Sequence, residues 1–259
     1  MAATKIPPVP VMRAIDAMRC RLRQLNRRTV PATVAVMEMV MDAWVAQAIT
    51  AAADLGIADA LATGPLSIAE LAAATDTDAA ALARLLRALS SRGIFRQRRD
   101  GRYELTPLAQ PLRRDADTSL ASWVRWAGSP RNRGHWDYLS DSVRSGRSVA
   151  NERRGEPLFD SLARDTELQE IFNDAMTDVS ELSIAPLVAA YDFSRFGMFV
   201  DVGGGHGRLL AAILNAAPGA RGVLFDQPHV VAEAPDELRR HGVLASVRKN
   251  YPILLALSI

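Results

Sequence analysis

Apolar positions along this chain follow a helical period for most of its length and then change to short continuous runs near the C-terminal end. From Met12 to Leu25, Ile15, Met18, Leu22 and Leu25 recur at helical spacing with Arg13, Arg19, Arg21 and Arg23 among them, which predicts an amphipathic helix. Pro31 suits a first helical turn, and Val36 to Leu55 forms a long, Ala-rich, mostly apolar stretch stopped by Gly56. Its few charges, Glu38, Asp42 and Asp54, predict burial on most sides, as in an intertwined interface. Ser67-Ile-Ala-Glu70 has the spacing of a capping box. Asp76-Thr-Asp78 then precedes a helix from Ala79 to Ser91 with Leu82, Leu85, Leu86 and Leu89 on one stripe, closed by Gly93. Residues 94–105 read as two short strands around an Asp100-Gly101 turn, with Thr106-Pro107 opening another helix. Three helices and a hairpin predict a winged helix.

Residues 117–190 read as helical and rich in aromatics: Trp123, Trp126, Trp136, Tyr138, Phe159 and Phe172. Residues 146–148 and 151–155 read as loops between helices, and a helix from Glu167 through Met176 to Ala190 follows. Aromatic and Met side chains at helical spacing are ordinarily core. Together they also suit the wall of a flat apolar pocket.

The period then changes. Phe199, Val200 and Val202 form a short apolar run that ends in Gly203, Gly204, Gly205 and Gly207, and Arg208 to Leu214 resumes helical spacing. Strand, tight turn and helix open a nucleotide-binding βαβ unit, where glycines let backbone N–H groups approach a ligand at the helix N-terminus. A dinucleotide fingerprint begun at Gly203 requires glycine where Arg208 stands. Asp201 precedes the glycines, and a second strand, 222–225, delivers Asp226 at its carboxyl end, placed to accept hydrogen bonds from both ribose hydroxyls of an adenosine cofactor. A carboxylate at Asp201 suits a cationic amino group and sulfonium better than a pyrophosphate, so the pattern favours S-adenosyl-L-methionine over a nicotinamide cofactor. Residues 243–247 and 251–257 are the remaining strand candidates.

Composition adds little but narrows the setting. The 259 residues, 49% hydrophobic, suffice for two domains. The single cysteine, Cys20, excludes an internal disulfide framework and fits a reducing cytoplasm. No apolar run is expected to approach the ~20 residues that span a bilayer, and the N-terminus lacks the apolar segment of a secretory signal. The net charge is +2, but residues 1–30 hold Lys5 and six arginines against Asp16 alone, so the arm is the basic part. A partner-helix or dimer arm is the preferred reading of that helix; a membrane-surface or targeting helix and a solvated charged face covering the protein's own core are alternatives.

The winged helix raises a rival of another class. Arg84, Arg87 and Arg92 on its third helix, with Arg96, Arg98, Arg99 and Arg102 on the wing, stand where a DNA reader makes phosphate contacts. That helix, however, carries few Asn, Gln or Ser side chains to read base edges. A dimeric DNA-binding or interaction protein with a vestigial cofactor turn is therefore the alternative.

Several segments together resemble the S-adenosylmethionine-dependent O-methyltransferases of the caffeate and polyketide-tailoring type. They are Ala-Asp-Leu-Gly-Ile57, Ser-Arg-Gly-Ile-Phe95, Leu158-Phe-Asp-Ser-Leu162, Phe172-Asn-Asp-Ala-Met-Thr-Asp-Val-Ser180, Asp201-Val-Gly-Gly-Gly-His-Gly207 and Phe225-Asp-Gln-Pro-His-Val230, and the likeness runs from about residue 35 to about 242. The resemblance implies an α/β Rossmann-like domain preceded by a mainly helical winged-helix domain that serves dimerisation and not DNA binding. It implies a small aromatic or polyketide-like hydroxyl as acceptor, cofactor contacts from Gly203 and its neighbours, ribose contacts from Asp226, and Ser180 near the methionine carboxylate. Met176 and Phe172 would lie near the substrate, with Trp136 also in the aromatic wall. The expected organisation is a basic arm over 1–30, a dimerisation domain over 31–113, a helical linker and substrate-pocket region over 114–190 and a cofactor domain over 191–259. Arg248 to Ile259 departs from the resemblance, as though the frame had shifted or the chain had been cut. The expectation is a truncated sheet, an unpaired edge on 199–202 and impaired activity. The family's catalytic His falls in the missing part; His206 and His229 lie at the cofactor turn, His135 reads as structural, and no catalytic residue is named.

Overall fold

The structure, a computed structural model, describes residues 9–250; the candidate strand at 251–257 lies outside the described residues. The chain divides into two compact units, residues 1–178 and 179–259.

In the first unit, α1 (Val9–Arg27) and α2 (Ala32–Asp54) carry apolar side chains that the single chain leaves uncovered. Met18, Leu22 and Leu25 of α1 are exposed, so this helix does not cover the protein's own core. On α2, Val36, Met37, Val40 and Trp44 are exposed and only Ala35, Thr50, Ala52 and Ala53 are buried. Burial on most sides, expected from its composition, is therefore not achieved within one chain. By length and composition alone α2 is also apolar enough to cross a membrane, because a few charges interrupt its runs without lowering its mean hydropathy far. Its C-terminal half docks on a later helix, α6 (Ala121–Gly128): the Thr50 hydroxyl donates to Ala46 O and Val124 O (3.1 and 3.4 Å) and takes the space a side chain at Gly128 would need.

The winged helix follows the sequence pattern closely. Gly56 in the left-handed region (φ 65) separates α2 from α3 (Ile57–Ala60). α4 (Ile68–Ala74) opens on the capping box, Glu70 accepting from Ser67 N–H at 2.7 Å and Ser67 from Glu70 N–H at 3.3 Å. α5 (Ala79–Ser91) is capped by Asp78 and buries Leu82, Leu86 and Leu89. The antiparallel hairpin β1 (Phe95–Gln97) and β2 (Tyr103–Leu105) lays Phe95 and Tyr103 over that stripe. Thr106-Pro107 does not open an α-helix. The Thr106 hydroxyl donates to Gly93 O and Ile94 O and accepts from Leu108 N–H, tying the chain back to the hairpin, and only a 3-10 turn, Gln110–Leu112, follows.

After α6 come α7 (Pro130–Arg133), α8 (Leu139–Ser145), α9 (Val149–Arg154), α10 (Leu158–Ala163) and the long α11 (Thr166–Ala190), within which the boundary between the units falls. The expected loop over 151–155 is thus mostly helix: its charged run lies in α9, and Gly155 (φ 81) ends that helix.

The second unit holds a three-stranded parallel sheet in the order β3 (Met198–Val202), β4 (Arg221–Phe225), β5 (Val247–Asn250). α12 (Arg208–Ala216) and α13 (Pro228–Arg240) link the strands and pack Leu210, Leu214, Val231 and Leu238 around Leu224. The strand expected from Val243 begins only at Val247, because Val243 is buried and donates its N–H to Leu238 O, still closing the end of α13. Among the described residues β3 pairs with β4 alone, and Met198, Val200 and Val202 are exposed.

Candidate functional site

The glycine turn is a pre-built cradle. Gly203, Gly205 and Gly207 have φ of 72°, 57° and 82°, a left-handed path that glycine follows without strain. Gly204 is required for a different reason: a Cβ there would stand 2.5 Å from Leu224 Cδ1 and 2.6 Å from the Asp201 carboxyl group. Among the described residues no atom lies within 4 Å of where a Cβ would stand on Gly203 or Gly205, so that side of the turn is open to them. Gly203 N–H is held by Phe225 O (2.8 Å), which fixes the turn against the end of β4.

Two carboxylates frame the turn. Asp226 Oδ2 accepts from Gly205 N–H at 2.8 Å and Oδ1 from Gln227 N–H at 2.7 Å. Asp201 lies beneath, with Oδ2 buried and without a hydrogen-bond partner among the described residues. Burial, and then the Asp226 charge, push its carboxyl above the usual range, while the Leu210 N–H pulls the other way. A buried, incompletely satisfied carboxylate beside a second one favours a cationic ligand.

Arg208 supplies what the fingerprint's missing glycine does not. As the first residue of α12 it pairs with Glu181 and, at 2.7 Å, with Glu237, which is 8% exposed and also holds Arg240 (2.5 Å) and His241 (3.0 Å). Burial alone would raise the Glu237 carboxyl, but Arg208 and its companions bring it below the ordinary value. His206 Nε2 lies 3.3 Å from Glu233. Sequence reading treated Arg208 only as a departure from a glycine pattern; the signal for its clamp role was an arginine between Glu181 and Glu237 in elements that converge on one helix start.

The remaining candidates divide. Ser180 is exposed on α11, its carbonyl accepting from the Ser183 hydroxyl at 2.9 Å. Phe172 meets Trp126 edge to face, 5.0 Å between ring centroids, and Met176 packs on the same cluster. Trp136 is 67% exposed and takes no part in it; Trp126 is the tryptophan that does. His135 accepts from the Arg154 guanidinium at 2.8 Å, and burial together with that positive charge depresses its pKa, which ties its lone pair into the structure.

A profile of the O-methyltransferase dimerisation domain matches residues 31–115, and one of the O-methyltransferase domain matches residues 136–249, slightly beyond the expected limit of the likeness. The phenazine O-methyltransferase PhzM of Lysobacter antibioticus is 38% identical over 214 residues, which cover 83% of this chain and 62% of that protein. The crystal structure of the N,N-8-amino-8-demethyl-D-riboflavin dimethyltransferase RosA from Streptomyces davawensis aligns with a TM-score of 0.77 at 33% identity, covering 88% of this chain and 69% of that one. The chain belongs to the S-adenosylmethionine-dependent O-methyltransferases. A further neighbour of this family, NcsB1 from neocarzinostatin biosynthesis, was solved with S-adenosylmethionine and 2-hydroxy-5-methyl naphthoic acid; it aligns with a TM-score of 0.66 at 30% identity over 80% of this chain and 64% of that one. The chain spans 62% or less of the length of these curated relatives, about half for most of them.

The turn's residues fit the family's cofactor. The orphaned Asp201 oxygen suits a cation, the open side of Gly203 and Gly205 admits a ligand, and Asp226, each oxygen accepting one backbone N–H, is oriented at the end of β4 with further lone pairs to accept from a ligand.

Proposed function

We propose that this methyltransferase chain binds S-adenosylmethionine on the glycine turn and serves methyl transfer to the hydroxyl of a small aromatic or polyketide-like acceptor, as a cytoplasmic homodimer joined through α1 and α2. The observation that carries the reading is the half-buried Asp201, its Oδ2 buried, beside Asp226 around an open glycine cradle. When bound, the cofactor supplies an electrophilic methyl group on a sulfonium. Asp201 would balance the cofactor's positive charge, the side of the turn open at Gly203 and Gly205 would admit it closely, and Asp226 would accept from the ribose hydroxyls. Ser180 is assigned to the methionine carboxylate, and Phe172 and Met176, already fixed against Trp126, to the aromatic side of the acceptor. Positioning and exclusion of water are the chain's contribution to an in-line displacement. We assign proton removal to no residue, since His135 is already engaged by Arg154.

The exposed apolar residues of α2, inside the matched dimerisation domain, support the homodimer, and those of α1 just before it extend the same apolar surface. On the wing, Arg96 and Arg98 both pair with Glu104. The test is incubation with methyl-labelled S-adenosylmethionine and a panel of hydroxylated aromatics. Label transferred to an acceptor, and lost in Asp226→Ala, is the expected result. No transfer to any acceptor by protein that binds the cofactor would overturn the acceptor half of the reading.

A further inference from the structure

The helical region of the first unit encloses a cavity of about 400 Å³, a size that suits a small aromatic ligand. Trp126, Leu158 and Leu168 give it apolar lining, and Arg153 and Arg154 line it together with Tyr138 and His135.

The charges in this lining do not cancel. Arg153 lies over the Tyr138 ring, 5.0 Å from its centroid. Arg154 donates to His135 Nε2 (2.8 Å), Asn151 Oδ1 (3.0 Å) and Glu156 O (3.4 Å), all uncharged acceptors. Among the described residues neither arginine forms an ion pair, whereas the cavity's other ionised side chains do: Arg131 with Asp165 and Glu156 with Arg164. The lining therefore carries two guanidinium groups oriented by neutral partners together with apolar side chains. Burial and the Arg154 charge keep His135 neutral, so it stays an acceptor that aims Arg154 and adds no competing cation. A planar guanidinium held this way matches a carboxylate, which can take two parallel N–H bonds.

We infer that this cavity binds an aromatic carboxylate, with the acid group on Arg153 and Arg154 and the ring against Trp126 and Leu158. The acceptor of the proposed reaction is accordingly a hydroxylated aromatic acid. Its identity as acceptor rests on the proposed function; the binding itself does not.

The experiment is titration of the full chain with 4-hydroxybenzoate and 6-hydroxy-2-naphthoate, followed by tryptophan fluorescence and calorimetry, with 4-hydroxybenzamide as the neutral counterpart. Arg153→Gln, Arg154→Gln and the charge-retaining Arg154→Lys are measured alongside, after their helical content is confirmed by circular dichroism. The expected result is binding of an acid at least about tenfold tighter than of the amide, the same factor lost in Arg154→Gln and partly restored in Arg154→Lys. Equal affinity for acid and amide, acid binding unchanged by either Gln variant, or no acid binding by folded protein would each overturn it. Titration of the same samples with S-adenosylmethionine separates the two claims. Cofactor binding without acid binding sinks this inference alone, and acid binding without cofactor binding sinks the proposed function alone.

Discussion

The winged-helix core and the cofactor sheet solve the same burial problem to different extents. In the first, α5 places Leu82, Leu86 and Leu89 under Phe95 and Tyr103, so helices and hairpin close on one another from all sides. In the second, α12 and α13 cover the Leu224 side of the sheet, while Met198, Val200 and Val202 face outward from β3. The apolar surface left over in the first unit lies instead on α1 and α2. One unit has a finished core and an unfinished interface. The other has a finished cradle on a half-covered sheet. A ligand cradle thus needs only one sheet edge and one helix face to be well packed.

Core truncations break this comparison most severely. Leu86→Ala and Leu224→Ala each remove a fully buried side chain, and each is expected to cost ~2–5 kcal/mol. Hydrogen exchange read peptide by peptide should place the first loss in 32–112 and the second in 198–250. Uniform loss of protection in both variants would mean that the two cores form one cooperative unit.

The interface comes next. Trp44, 68% exposed on α2, makes little core contact, so Trp44→Asp should leave the helical content intact. If α2 forms the dimer seam, losing a tryptophan anchor weakens association by ~2 kcal/mol or more, and light scattering should show monomer at micromolar concentration. An unchanged dimer would move the seam elsewhere.

Proton linkage gives the smallest effect and separates two acids of the same unit. Glu237, held low by Arg208, contributes stability that is present above its ordinary value of 4.5 and is lost as pH falls through its lower folded value. Asp201 is raised, so its ionisation costs stability at neutral pH, and the cost fades as pH falls through its raised folded value towards 3.8. Asp201→Asn should therefore raise the melting temperature of this unit at pH 7, with the gain shrinking in acid, while cofactor affinity falls. A variant less stable at pH 7 would show that Asp201 is satisfied in solution.

Much of this was legible in the sequence where local chemistry decides the conformation. The Ser67–Glu70 box, the Asp78 cap, the Leu stripe of α5 and the glycine turn each depend on side chains a few residues apart. Legibility failed where a distant partner decides. Thr106 serves Gly93 and Ile94 rather than opening a helix, and Val243 completes α13 rather than starting a strand. The Arg208 clamp was hidden for the same reason, since Glu181 and Glu237 lie far from it in sequence.

The central claim is that the glycine cradle with Asp201 and Asp226 is a working cofactor site. It is tested most directly by calorimetric titration of the purified chain with S-adenosylmethionine, beside Asp226→Ala and Asp226→Asn. The account predicts micromolar binding by the parent chain, loss in Asp226→Ala, and a weaker residue of binding in Asp226→Asn, which keeps an acceptor for Gly205 N–H but loses the charge. A folded parent chain that takes up no cofactor, or an Asp226→Ala variant that binds as tightly as the parent, would contradict it.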